Sequence, residues 1–173
     1  MRKIRVSSLL AVSFRDELER IVFFNPEQEL VTAPLLASVQ RYGIPSIVED
    51  GASLRFRVTS FGPLQTLYAL DESEEPERLA GVAMFTRESA TSIVVLHLAA
   101  HEDYTSLGKW ADVAVVAQLV SAIRNAAMRT HGIRTLRLLY PHELRLQVRP
   151  RPGRASLPAP VHGPARRPRL VGY

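Results

Sequence analysis

The sequence predicts a mixed α/β fold: a mostly antiparallel central sheet with helices on both faces, followed by a flexible tail rich in arginine and proline. Three observations predict it. Residues 53–59 alternate apolar and polar, and further short apolar runs up to residue 100 are separated by turn signals, as the strands of a meander are. Residues 14–42 and 111–129 instead carry apolar side chains at helical spacing. The second helical stretch lies between two strand-like runs, and a strand–helix–strand connection makes its strands parallel with a right-handed crossover. A chain of 173 residues, 46% hydrophobic and 23% charged, is long enough for one domain with a sizeable core.

The elements follow in order. Ser13 and Asp16 have the spacing of a capping box, and Phe14, Leu18, Ile21 and Val22 then share one face, so Phe14–Phe24 reads as an amphipathic helix. Asn25-Pro26 opens a second helix, because Asn caps orphan amides and Pro fits a first turn. Pro34 breaks or restarts it, and Gly43, able to take positive φ, stops it after Tyr42. Leu54, Phe56 and Val58 alternate with Arg55, Arg57 and Thr59, a half-buried strand that turns at Gly62-Pro63. Leu64–Leu70, Leu79–Thr86 and Ser92–Ala100 complete an expected antiparallel meander. The acid run Asp71, Glu72, Glu74, Glu75 and Glu77 reads as a solvated loop. A long helix, Ala111–Arg129, ends at His131-Gly132, and Ile133–Tyr140 returns as a strand.

Charge divides the chain near Arg145. Residues 1–144 hold 15 basic and 17 acidic residues, a balance of −2, whereas residues 145–173 hold seven Arg, no acid and six Pro. The expected organisation is therefore a domain over 1–144 and an extended tail over 145–173. Such a tail could contact nucleic acid or an acidic partner electrostatically. The absence of cysteine excludes disulfides, thiolate metal sites and cysteine nucleophiles. His97, His101, His131 and His142 lack the spacing of a metal site, so no metal is expected. The apolar stretch Ala111–Ile123 is interrupted by Asp112, Gln118 and Ser121 and falls short of a bilayer crossing. Without a signal-like N-terminus either, a cytoplasmic protein without a membrane span is the expectation.

The loop after the fourth predicted strand carries a resemblance. Leu98, Ala100, Asp103, Tyr104 and Gly108, with Gly132-Ile133, Leu136 and Leu138 beyond the helix, resemble the acyl-CoA-binding segment of the GNAT superfamily of N-acetyltransferases. The resemblance covers about residues 53–140 by element order and Leu98–Gly108 by motif. It implies an enzyme that moves an acetyl or other acyl group from acyl-CoA to an amine, with acetyl-CoA as cofactor and a small molecule or protein as acceptor. It further implies that the edge of Ser92–Ala100 pairs with pantetheine and that Ser106, Leu107, Gly108 and Lys109 hold the pyrophosphate. Thr105 and Trp110 flank that site, and an amide at Leu98 or Ala99 polarises the acyl carbonyl. The physical logic is that glycine permits close approach and a helix N-terminus attracts an anion.

The chain departs from this pattern at Thr105, where Arg or Gln is expected, and at Trp110, where Gly or Ala is. Asp112 would repel a phosphate, and no tyrosine acid is evident after Tyr140. These departures keep a second reading open: a non-catalytic GNAT-like binding or regulatory module, as a homodimer or with its tail on an acidic partner. His97 and Glu88 are the candidate catalytic bases. By strand alternation, His97 and Ala99 face opposite to Leu98 and Ala100. Glu49, Asp50, Arg55 and Arg57 read as turn or solvated-face residues.

Overall fold

The computed structural model describes residues 2–24, 32–58, 64–139 and 144–149. Strand β1 (Ile4–Ser7) leads through a 3-10 turn into helix α1 (Arg15–Phe23), followed by α2 (Thr32–Tyr42). Strands β2 (Pro45–Asp50), β3 (Ser53–Val58), β4 (Gln65–Asp71), β5 (Arg78–Arg87) and β6 (Ser92–Ala100) come next. Helix α3 (Val115–Arg129), β7 (Thr135–Leu138) and β8 (Leu144–Gln147) complete the order. The main sheet runs β1-β4-β5-β6-β7-β8, and every neighbouring pair is antiparallel except the parallel β6–β7. The mixed α/β class and the mostly antiparallel sheet are as the sequence predicts.

The sheet separates two apolar layers. On one face Val115, Leu119, Ile123 and Ala127 of α3 pack on Phe85, Val95, Leu98 and Ala100. On the other, Leu18, Ile21 and Val22 of α1 pack on Leu70, Val82, Met84 and Ala99, with Tyr42 of α2 against Val94 and Leu96. Gly81 permits the close approach of α3, since a Cβ there would lie 2.8 Å from Val115 Cγ1 and 2.9 Å from the Ala99 carbonyl. By length and composition residues 111–129 could cross a bilayer. Here the segment divides at Ala114, and the buried residues of α3 lie against the sheet.

Several expectations are corrected. The meander is three-stranded in the main sheet, β4-β5-β6, because β3 pairs with β2 as a separate two-stranded sheet, Phe56 opposite Ile47. Alternation identifies the buried face of β3, Leu54, Phe56 and Val58. It does not specify which neighbour satisfies the backbone. Strand β1, too short to show a period, pairs with β4. The capping box does not form: Ser13 lies in the 3-10 turn and Phe14, the residue before α1, makes no side-chain cap. Helix α3 starts at Val115, after a 3-10 turn over Ala111–Val113 and a left-handed Ala114.

Gly43 does stop α2, with φ 91° and its N–H donating to the Val39 carbonyl at 2.8 Å. Arg145, where the charge balance changes, sits within β8 opposite Arg137 of β7, and Val148 beyond that strand is 3% exposed. The expected features at Asn25-Pro26, Gly62-Pro63, Tyr140 and residues 150–173 lie outside the described residues.

Candidate functional site

The site is organised by a bulge in β6. Pairing with β5 runs Met84↔His97 and then Phe85↔Val95, so Leu96 is the extra residue. An extra residue breaks the alternation of faces. Leu96 and His97 consequently both line the same cavity, on the α2 side of the sheet, while Leu98 and Ala100 point to α3 and Ala99 to α1. At the same place the parallel partner stops: the last rung is Val95↔Leu138, followed by the Leu139 N–H to the Val95 carbonyl at 3.3 Å, whereas β6 runs on to Ala100.

The cavity has a volume of about 160 Å³. Val22 and Phe23 come from α1, Ser38, Val39 and Tyr42 from α2, and Met84, Leu96 and His97 from the sheet floor. The Ser38 hydroxyl donates to the Leu96 carbonyl at 3.4 Å. Burial pushes the His97 imidazole down to about 4, so it is neutral at pH 7. A neutral imidazole with so low a pKa accepts protons weakly. Glu88, the other expected base, lies at the β5–β6 turn outside the cavity lining. Its carboxylate accepts from Arg137 Nη1 at 2.7 Å, Arg41 Nη2 at 2.9 Å and the Tyr42 hydroxyl at 3.2 Å. That arrangement fastens α2 and β7 to the turn.

The loop after β6 folds upon itself. The Gly108 N–H donates to the Thr105 carbonyl at 3.0 Å, the Trp110 N–H to the Asp103 carbonyl at 2.7 Å, and the Thr105 hydroxyl to the Glu102 carbonyl at 3.0 Å. A Cβ on Gly108 would collide with the Glu102 and Asp103 backbone. This glycine therefore serves loop closure, and Thr105, Ser106, Leu107, Gly108, Lys109 and Trp110 precede the first turn of α3 rather than form it. Leu107 is 93% exposed, and the Lys109 ammonium lies 4.9 Å from the Trp110 ring centroid.

Trp110 has a defined place. The Arg2 guanidinium stacks 3.3 Å over its ring, and Tyr104 packs beside it with centroids 4.9 Å apart. Asp71, fully buried, accepts from Arg2 Nη1 and the Tyr104 hydroxyl, each at 2.6 Å, and from the Ser73 N–H at 2.8 Å. Burial alone would raise the Asp71 carboxyl, but the hydrogen bonds from Tyr104, Ser73 and Arg2 hold it down to about 2. Burial and the Asp71 charge push the Tyr104 phenol up. The acid run is accordingly a latch: Glu72 and Glu77 hold Arg5, and Glu74 holds Arg2. The run is a surface loop as expected from Glu72 onward, and the expectation is corrected at Asp71, which belongs to β4 and is buried because the basic N-terminus and Tyr104 supply its partners.

His101 is buried, with its Nδ1 accepting from the Asp103 N–H at 3.2 Å and its Nε2 placed 3.0 Å from Arg78 Nη2. Burial foremost, then Arg78, lowers its pKa. Arg55 and Arg57 are exposed, with Arg55 paired to Asp50 at 2.8 Å and Glu49 to Arg15 at 3.0 Å, as surface residues should be. Of the sequence candidates, only His97 lines the cavity. Ser38, Val39 and Tyr42 were missed, although their spacing places them on one helical face ahead of the Gly43 stop. Compared with known proteins, the chain matches no family model, no curated protein and no solved structure.

Proposed function

We propose that the protein binds acyl-CoA in a GNAT-like manner, with acetyl-CoA the reference ligand, and presents the thioester at the β6 bulge to an amine. One observation carries this reading: a parallel strand pair joined through a loop and helix stops at a bulge, and a cavity opens at that bulge on the opposite face from the helix. Pantetheine would follow β6 past Val95. The pyrophosphate would meet the opening turn of α3, which begins at Val115 without a side-chain cap, rather than Ser106–Lys109. In transfer, the amine lone pair attacks the thioester carbonyl carbon, the C–S bond breaks, and the amine proton leaves to water or to the departing thiolate. Glu88 is engaged by Arg41 and Arg137 outside the cavity lining, and His97 is buried and neutral, so neither is placed to take the proton of a charged amine. An acceptor that is already neutral suits this site best.

A second reading, a GNAT-like module that binds without turnover, is favoured by the closed loop around Trp110. Isothermal titration of the full chain with CoA and acetyl-CoA tests the shared premise. Micromolar binding is expected for both, and no binding to either removes the acyl-CoA reading. If binding holds, release of free thiol with an amine panel separates transferase from module.

A further inference from the structure

We propose that the cavity beneath α2 houses the apolar body of an acyl group larger than acetyl, a medium-length chain entering from a thioester at the β6 bulge. The proposal rests on the acyl-CoA reading for the thioester; the cavity stands on its own lining. Among the described residues, that lining contains no Lys, Arg, Asp or Glu side chain. Val39, Met84 and Leu96 give it apolar surface, and Ser38 and His97 give it two uncharged hydrogen-bonding groups beside the bulge. A cationic amine entering it would lose hydration with no carboxylate among these residues to meet it. An apolar acyl tail brings no charge that would need a partner there and matches this lining.

Size points the same way. At about 160 Å³ the space exceeds what an acetyl methyl fills. An enclosed apolar cavity of roughly this size admits a guest as large as benzene. Each methylene moved from water into such a lining strengthens binding roughly fourfold. An octanoyl chain, even partly accommodated, should therefore bind at least about tenfold more tightly than acetyl.

The test is isothermal titration of the full chain with acetyl-CoA, octanoyl-CoA, and the acetyl and octanoyl thioesters of N-acetylcysteamine, which lack the nucleotide. The expected result is about a tenfold or greater preference for octanoyl-CoA, with the octanoyl truncated thioester binding where the acetyl one does not. Equal affinity for the two CoA thioesters overturns the proposal and leaves the acyl-CoA reading standing. Binding of the octanoyl truncated thioester without binding of either CoA ester keeps the cavity assignment and removes the acyl-CoA reading. No binding of the octanoyl group in either form overturns the proposal. Val39→Phe, which narrows the cavity, should erase the preference for octanoyl-CoA over acetyl-CoA. A preference unchanged in the folded variant places the chain elsewhere, and if that variant does not fold, the comparison on the unmodified protein decides.

Discussion

At the scale of single residues, two buried titratable groups make stability depend on acid in separate windows. His97 has a folded pKa of about 4 against an ordinary 6.5, so the unfolded chain binds more protons between those values. Its contribution is complete above pH 6.5 and is lost as pH falls toward 4, amounting to about 3 kcal/mol. Urea midpoints measured from pH 7 to 4 should fall steeply, and His97→Leu should flatten that segment of the curve. For Asp71, held near 2 against 3.8, the contribution is present above about pH 4 and disappears between there and pH 2, about 2 kcal/mol in all. Tyr104→Phe removes one donor to Asp71 and should destabilise by roughly 1–3 kcal/mol in chemical denaturation at pH 7. None of the Arg2–Asp71–Tyr104–Trp110 assembly was legible as such, because its members are far apart in sequence and meet only when β1 pairs with β4. His97 was legible as a residue on the face opposite Leu98, since strand alternation fixes that much. Its sharing of a face with Leu96 was not, because a bulge has no signature in periodicity.

At the scale of elements, two glycines govern contacts between backbones. Gly81→Ala places a methyl against Val115 and the Ala99 carbonyl, forcing α3 from the sheet at an expected loss of about 1–3 kcal/mol, read from denaturation midpoints. Gly108→Ala should open the loop Glu102–Trp110 and raise amide exchange at Trp110, whose N–H is bonded to Asp103. Loss of CoA binding in that variant would thus report loop disruption as readily as a lost phosphate contact, so it is not a clean test of the cofactor. Helices are legible where apolar spacing is long and a glycine closes them, as at Gly43. The start of α3 falls later than its periodicity suggests. Val113, Val116, Val120, Ile123 and Ala127 carry a helical pattern across the 3-10 turn, yet the face that packs on the sheet is Val115, Leu119, Ile123 and Ala127 while Val116 stays exposed. The reason is that the left-handed Ala114, set by the folded loop and not by its own preference, restarts the helix.

At the scale of the whole molecule, β8 closes the main sheet beside β7. Removing residues 150–173, which the sequence reads as tail, should leave the melting temperature within about 2 °C. Ending the chain at Glu143 removes the β7–β8 ladder and buried Val148, and should lower it by several degrees, on the order of 5 °C. Calorimetry on the two truncations checks both. The sequence by itself determined the mixed α/β class, the parallel return after the long helix, the buried faces of α1 and β3 and the concentration of basic charge after Leu144, because periodicity and composition are local properties carried by each segment. Tertiary structure alone decided the pairing of β1 with β4, the separation of the β2–β3 sheet, the latch of the N-terminus on the acid run, and the cavity where α2 crosses the β6 bulge. These depend on which distant backbone groups and side chains satisfy one another, and that choice is made by packing and hydrogen-bond closure across the chain rather than by any window of residues within it.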